Sequence, residues 1–416
     1  MLKKTFFIFF TTFFAILIVA FLMLVTIGIE TKRFNNFLSE KINQQNNFVN
    51  VKLQTIKFKL DVKKISLFLE TEEPVVEYRN VLIPVKSIKV YVDFESLINS
   101  KPSIKKINLI FDELDVNQAK KFLVVVKPSN LKDFFKYKIT KGKLFTELEF
   151  YFKEENILKN FIAKGNIKNL DAELFEELHL KNTNFSFFAD KTDVLINNFN
   201  GDIDSIKISN GDIKIDLSKN ISFQSNFLSK IQLKKNEIKR YTFLLKNLKF
   251  LENFSIGEAN LDNNISLVFD KTYKLKQYEL SCKGTIKDSY IKFKEVKNNL
   301  LSGENFSEIY LKNIDINTFF NIKKRLLNIS GEYSFSNNNF LKYNLQNSYT
   351  DKGLNLELNA QYDHDLRIDV INYNKPINAI SNLKLKLFKI KDKINVKEFE
   401  YAENKNLIKI QNLKLT

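Results

Sequence analysis

The sequence predicts a mainly β protein in which an N-terminal transmembrane helix precedes a long, twisted, open antiparallel sheet. Three observations predict this fold class. Residues 5–29 carry no charge, apolar and polar residues alternate through most of the chain after residue 51, and few segments have helical spacing. We expect the sheet to form an elongated apolar groove, accompanied by few short helices.

The run from Thr5 to Ile29 predicts an uncleaved membrane anchor. As a helix it would be about 37 Å long, enough to cross a hydrocarbon core of about 30 Å with some tilt. A cleaved signal peptide would have a shorter apolar region and a small-x-small site, which this run lacks. A buried core helix would have one apolar stripe, whereas phenylalanines surround this helix. The residues expected to anchor it in lipid are Phe6, Phe10, Phe13, Ile16, Leu17, Phe21 and Leu24.

The net charge of +17 has two explanations. It would attract anionic lipid or nucleic acid, or it follows from AT-rich codons, which encode Lys, Asn, Ile and Phe together. The lysines are spread evenly and form no compact cluster of the nucleic-acid-binding type, so we expect no nucleic-acid partner. Positive residues flank the anchor almost equally, and the positive-inside rule therefore does not orient it.

We divide the chain into four segments. Residues 1–30 form the anchor. Residues 31–48 predict an amphipathic helix, because apolar residues recur at i, i+3, i+4 and i+8 from Phe34; it would lie at the membrane surface or cap the next element. No linker or sharp boundary is visible after residue 49. The division there into a first β module at residues 49–127 and a repeating β-groove at residues 128–416 comes from the family resemblance described below.

Alternation with a period of two predicts strands with one apolar and one polar face. Turn signals such as Asn200-Gly201-Asp202, Asn210-Gly211-Asp212 and Asp351-Lys352-Gly353 separate these strands. The candidates for lining an apolar groove are Ile65, Leu67, Leu69, Ile88, Val90, Val92, Phe94, Ile107, Leu109, Phe111, Leu144, Leu148, Phe150, Ile213, Ile215, Leu217, Ile265, Leu267, Phe269, Leu354, Leu356, Leu358, Leu383, Leu385 and Leu387.

After residue 49, short helices are expected at residues 94–99, 115–123, 131–137, 171–178 and 318–327. They are too few to cover the apolar face of such a sheet. A second sheet could cover it in a sandwich or barrel, or the sheet could curl into a trough. The spacing predicts about 28 strands, which would span roughly 135 Å if uncurled. Open sheets of this size twist and coil, and an aliphatic trough suits acyl chains.

The order of the N-terminal parts resembles the first module of AsmA-like proteins. The resembling parts are the anchor, the strand Lys57-Phe58-Lys59-Leu60, the segment Glu73-Pro74-Val75, the strand 88–94, the short helix Glu95-Ser96-Leu97-Ile98 and the strand 104–109. Residues 163–203 resemble the middle of the YhdP branch. Residues 315–332 resemble an AsmA-type helix followed by a strand that a glycine leads.

This resemblance implies a bacterial inner-membrane protein with a single span, a cytoplasmic N-terminus and a periplasmic β-groove. It implies transfer of phospholipid towards the outer membrane, and it makes residues 49–127 the AsmA-type module. The larger groove proteins of the family are much longer than 416 residues. We therefore expect the chain to be a fragment, one part of a split protein, or a protein that works with a partner. The resemblance implies the inner membrane and phospholipid as partners, and an outer-membrane or periplasmic protein would complete the bridge.

The sequence contains no recognisable catalytic or cofactor motif. It has no P-loop, Rossmann glycine fingerprint, Gly-x-Ser-x-Gly or cysteine pair, since Cys282 is the one cysteine. Asp363-His364-Asp365 is a loose metal candidate, but on a strand the histidine would face away from both carboxylates. We expect no enzymatic activity, no cofactor and no metal.

Three functions are consistent with these patterns. The first is a conduit for phospholipid, which the apolar groove and the resemblance favour. The second is a structural or assembly factor for outer-membrane proteins, as in the TamB-like branch. The third is an anchored module that captures extended peptides at sheet edges.

Overall fold

The N-terminal apolar run forms a helix that continues directly into a β-sheet. A computed structural model describes residues 2–31, 35, 39, 49–62, 66–92, 103–123, 130–153, 157–175, 178–218, 220–233, 254–270, 272, 274–296, 306–368, 371–376 and 379–415. Among them, α1 (Leu2–Thr26) is the one helix that is long and apolar enough to cross a membrane, over Phe6–Thr26. None of this span is buried in the protein. The predicted apolar helix is confirmed, although it ends at Thr26 rather than Ile29.

The remaining described elements are mostly strands. They are β1 (Ile29–Thr31), β2 (Val49–Lys52), β3 (Ile56–Asp61), β4 (Ser66–Glu72), β5 (Val75–Tyr78), β6 (Val81–Ile83), β7 (Val85–Val92), β8 (Ile104–Phe111), β9 (Leu114–Asp115), β10 (Ile139–Phe152), β11 (Leu158–Phe175), β12 (Leu178–Ala189), β13 (Asp193–Ile203), β14 (Ile206–Asp216), β15 (Ile221–Leu233), β16 (Phe254–Phe269), β17 (Leu275–Val296), β18 (Phe306–Asn321), β19 (Lys324–Ser334), β20 (Leu341–Thr350), β21 (Gly353–Tyr362), β22 (Arg367–Ile368), β23 (Tyr373–Asn374), β24 (Ser381–Ile390), β25 (Lys393–Glu403) and β26 (Asn406–Leu415). The short helices are α2 (Val116–Phe122) and α3 (Asn130–Asp133), the latter followed by a π-helical turn at Phe134–Lys138.

One antiparallel sheet contains 21 of the described strands. From β10 onwards each strand pairs with the next in the chain, except that β21 pairs with β24 across the small β22–β23 hairpin. β1 pairs with β3, and β2, β5 and β6 form a separate small sheet. Sequential pairing through mostly short connections is the meander that the alternation predicts, so the mainly β antiparallel fold is confirmed.

The chain divides into two compact units. Unit 1 comprises Met1–Ala172 and Asn184–Val194, and unit 2 comprises Glu173–Thr183 and Leu195–Thr416. The core of unit 1 includes Val51, Val76 and Val85, which join the small sheet to the large one. The core of unit 2 includes the directly paired Ala259, Ile286 and Ile314, of which Ala259 is fully buried.

The helix predictions are only partly correct. α2 forms because Asp115 and Gln118 cap its N-terminus reciprocally: each side chain accepts a hydrogen bond from the other backbone N–H, at 2.9 and 3.1 Å. The helix expected at 131–137 corresponds to α3 and the π-helical turn.

The helices expected at 171–178 and 318–327 are wrong. Described residues there belong to β11 and β12, and to β18 and β19, and so the resemblance of residues 315–332 to a helix and strand is also wrong. In both segments apolar and polar residues also alternate, as in a strand. Hydrogen bonding to neighbouring strands therefore decides their structure, although their spacing is also compatible with a helix. Residues 94–99 lie outside the described residues, as do most of the helix expected at 31–48 and the strand end at Phe94.

Two predicted turns are instead irregularities within strands. Asn200-Gly201-Asp202 lies in β13 and Asn210-Gly211-Asp212 in β14, where Asn198 and Asn210 adopt φ values of 55° and 51°. Asparagine tolerates this left-handed conformation, which a β-bulge requires. The ladder between β14 and β15 shifts register at this point.

A short motif accounts for these bulges. Left-handed asparagines at 169, 182, 198, 210 and 313 are each followed two residues later by Asp or Asn. Asn198 donates its N–H to Asp212 Oδ1 at 3.3 Å, and Asn210 donates to Asn200 Oδ1 at 3.1 Å. The side chain of the third residue in one motif therefore accepts the hydrogen bond from the left-handed asparagine N–H on the neighbouring strand.

Candidate functional site: the apolar faces of the sheet

A continuous row of apolar residues crosses unit 1. Residues paired directly across antiparallel strands lie on the same face. Such pairs connect seven residues from β1 to β11: Ile29, Phe58, Leu69, Val90, Ile107, Phe150 and Phe161. We call them the first apolar row. None of the seven is buried, so this face remains partly open in the described part of the chain.

Gly28 joins the apolar helix to this row. Its φ is 80°, and its N–H donates to the Met23 carbonyl at 2.7 Å, which ends the helix. A Cβ here would lie 2.8 Å from Lys59 Cγ and 2.9 Å from the Phe58 carbonyl oxygen, so only glycine fits. Ile29 follows immediately and begins the first apolar row, which therefore starts where the helix ends.

The opposite face of unit 1 carries buried charges. Glu70 is 7% exposed and lies 2.7 Å from Lys59 Nζ and 3.2 Å from Lys89 Nζ. Burial by itself would raise the pKa of Glu70, but the hydrogen bonds from the two lysines outweigh it and lower the pKa. The charged face of this unit therefore contains more deeply buried residues than its first apolar row.

Glu149 is the centre of a second charged group on the same face. It is 8% exposed, accepts hydrogen bonds from Tyr151 and Lys164, and lies 2.9 Å from Lys106 Nζ. Burial opposes its ionisation, but these hydrogen bonds prevail and lower its pKa to about 2. Lys106 also lies over the rings of Tyr91 and Tyr151. These ion pairs were not predicted, because the lysines on this face suggested a solvated surface.

Unit 2 contains a second, longer row. Direct pairs connect nine residues from β16 to β26: Leu261, Gly284, Ile316, Ile329, Leu345, Leu358, Leu385, Phe399 and Ile410. We call them the second apolar row. All nine remain at least partly exposed, and Ile410 on β26 is 40% exposed.

Most predicted groove residues share these two faces. In unit 1 the register unites Leu67, Leu69, Ile88, Val90, Ile107, Leu109, Leu144, Leu148 and Phe150. In unit 2 it unites Ile213, Ile215, Ile265, Leu267, Leu354, Leu356, Leu358, Leu383, Leu385 and Leu387. Their contact with lipid stays a prediction.

The remaining groove candidates, and Ile88 among those just named, have other surroundings. Ile88 and Phe111 pack against the core that the small sheet covers, so a second sheet shields part of this face. Val92 and Phe269 adjoin register shifts, and Leu217 follows the end of β14 and is 46% exposed. Ile65 and Phe94 lie outside the described residues. The seven anchor residues all lie on α1.

The metal candidate lies in an irregular connection rather than on a strand. β21 ends at Tyr362, and His364 Nδ1 is 2.6 Å from Asp363 Oδ1. Within the described residues, no group of three or more His, Cys, Asp or Glu side chains could hold a metal ion.

Comparison of the chain with models of known families, with curated proteins and with solved structures finds no match. The resemblance to AsmA-like proteins therefore rests on the order and spacing of sequence elements alone.

Proposed function

We propose that this protein is a membrane-anchored conduit that carries phospholipid along the apolar face of its sheet. One observation supports this most strongly: the first apolar row begins at Ile29, directly after the helix that can cross a membrane. A lipid tail leaving the bilayer beside α1 would meet Phe58 and then Leu69 without crossing a polar strand position.

The second apolar row provides the same chemistry in unit 2. It offers aliphatic and phenylalanine side chains on strands about 4.8 Å apart, except on β17, where the row passes through Gly284. Transfer of a buried CH₂ group from water to such a surface is worth about 0.8 kcal/mol. Acyl chains therefore gain from each apolar side chain in the row, and no single residue is indispensable.

The cellular setting follows from the resemblance. We place α1 in a bacterial inner membrane, with the N-terminus in the cytoplasm and the sheet in the periplasm, and the transported lipid moves towards the outer membrane. A further protein completes the path. The alternative function is a structural or assembly factor for outer-membrane proteins, which would use the sheet without conducting lipid.

A matched pair of variants on β21 tests the conduit. Leu358→Asp places a carboxylate in the second apolar row, whereas Asn359→Asp places one on the exposed polar face beside it. A tail sliding over a hydrated carboxylate meets a barrier of about 2 kcal/mol, so L358D should slow transfer about 30-fold. The readout is the movement of labelled phospholipid between donor and acceptor vesicles by the full chain.

Native mass spectrometry of protein extracted in mild detergent provides a second readout. We expect co-purifying phospholipid on the wild type and N359D. If L358D resists proteolysis like N359D and transfers lipid equally fast, the conduit proposal fails. If the wild type carries no phospholipid and retains only polypeptide partners, the assembly-factor alternative replaces it.

A further inference from the structure

Along β18–β26, the described residues of the two sheet rims carry different charge. Hairpins in a meander alternate between the rims, so the turns β18–β19, β20–β21 and β24–β25 share one rim. Successive turns on this rim are separated by two strand widths, about 9.6 Å. We call residues 322–325, 351–352 and 389–393 the basic rim.

The basic rim is strongly cationic. It contains seven basic and two acidic residues: Lys323, Lys324, Arg325, Lys352, Lys389, Lys391 and Lys393, with Asp351 and Asp392. All nine are exposed. Among the described residues, no carboxylate forms an ion pair with any of the seven basic side chains.

Over the same strands the opposite rim is close to neutral. Counted to the same depth of two residues into each strand, its described residues carry four basic side chains (Lys342, Arg367, Lys375 and Lys405) and three acidic ones (Asp363, Asp365 and Glu403). One of the four basic residues, Lys375, is 4% exposed and donates to two backbone carbonyls. Among the described residues of these strands, the basic rim therefore has the larger positive excess.

Two basic residues lie on the apolar side of this rim. Direct pairs connect Phe320, Arg325, Tyr349, Leu354, Lys389 and Ile394 in one row. This row runs beside the apolar positions 327, 356 and 387, each two residues away from Arg325, Leu354 or Lys389 on the same strand. Arg325 lies 5.6 Å from the centre of the Tyr349 ring, and both side chains are exposed.

We propose that the basic rim binds the phosphate of anionic phospholipid while the tails lie on the second apolar row. This inference rests on the proposed function and adds the headgroup that the site prefers. A guanidinium can bind a phosphate through two parallel hydrogen bonds, and an ammonium supplies a point charge. Arg325 and Lys389 are the residues placed to contact the headgroup, because they share the face that holds the tails.

The test compares two variants, each of which reverses the charge of two basic residues. The variant R325E/K389E alters the basic rim. The control K342E/K405E makes the same change in net charge at Lys342, which is exposed on the polar face, and at Lys405, which is exposed on the opposite rim. Full-length protein is equilibrated with vesicles of equal parts phosphatidylglycerol and phosphatidylcholine, and native mass spectrometry gives the ratio of the two bound lipids.

We expect the wild type and the control to enrich phosphatidylglycerol about tenfold, and this enrichment to fall at high salt. In R325E/K389E the ratio should approach that of the vesicles while total bound lipid is retained. Bound lipid with an unchanged ratio in R325E/K389E overturns this inference and leaves the conduit intact. Absence of bound lipid from every protein overturns both.

Two further probes identify the source of the phosphate. Inorganic phosphate alone should not bind the delipidated protein in equilibrium dialysis. A short DNA duplex should bind R325E/K389E and K342E/K405E equally weakly. Binding of either probe that depends on Arg325 and Lys389, with an unchanged lipid ratio, overturns the assignment to lipid.

Discussion

The charged group around Glu149 should make unit 1 sensitive to acid. The structure gives the magnitude in two ways. Lowering a carboxyl pKa from 4.5 to about 2 corresponds to roughly 3 kcal/mol, at about 1.4 kcal/mol per unit. Removing one partner from a buried ion pair typically costs about 3–5 kcal/mol, and Lys106 and Glu149 are both at most 10% exposed in their side chains. We therefore expect Glu149→Gln to destabilise the fold by about 3 kcal/mol at neutral pH.

The sign of the pH dependence follows from the lowered pKa. A carboxyl with a lowered pKa stabilises the folded state above its unfolded-state pKa, and this stabilisation is lost as pH falls towards the folded-state value. The contribution of Glu149 should therefore disappear between about pH 4.5 and pH 2. Denaturant unfolding of the full chain in detergent, followed by circular dichroism across this range, measures it. The difference in unfolding free energy between wild type and E149Q should be largest at neutral pH, and it should fall towards zero between about pH 4.5 and pH 2.

Two control variants test the role of the buried ion pair. Glu113→Gln removes an ion pair whose side chains are 54% and 36% exposed, and it should cost less than about 1 kcal/mol. Lys106→Met in the E149Q background should recover part of the loss, because it removes the unpaired buried ammonium. If E149Q costs no more than E113Q, or if its cost is the same at pH 7 and pH 2, the ion pairs of Glu149 do not stabilise the fold.

Two predictions concern backbone positions. Gly28→Ala should destabilise the junction of α1 and β1 by about 1–2 kcal/mol, because its φ is 80° and its Cβ would press on Lys59 and Phe58; hydrogen exchange of β1 and β3 should rise, and unchanged exchange would contradict the proposed fit. Asn210→Gly should preserve the bulge in β14, whereas Asn210→Val should cost about 1–3 kcal/mol; equal unfolding midpoints for the two variants would show that the left-handed conformation is unimportant.

Alternation determined the strands because side chains on a strand point to opposite faces in turn. The positions from Leu354 to Leu358 and from Leu383 to Leu387 could therefore be assigned to one face of their strands from the sequence. The uncharged run likewise determined the apolar helix. These are local properties, which depend on spacing along the chain and on no distant partner.

Helical spacing gives the wrong prediction where pairing with neighbouring strands decides the structure. Residues 171–178 and 318–327 have periodicity compatible with either state, and neighbouring strands supply the backbone partners that make them strands. Asn210-Gly211-Asp212 has turn composition, but its left-handed asparagine serves a bulge because Asn200 on the adjacent strand satisfies its N–H.

The sequence by itself determined that each strand has an apolar face, and that a helix able to cross a membrane precedes them. Only the tertiary structure decided that these faces join into rows, because register depends on which residues of distant strands pair. It also decided that Glu149 is buried between lysines and that Arg325 and Lys389 lie at the margin of the apolar face. A sequence shows which residues are charged. Which rim of the sheet they lie on depends on the direction in which each strand runs.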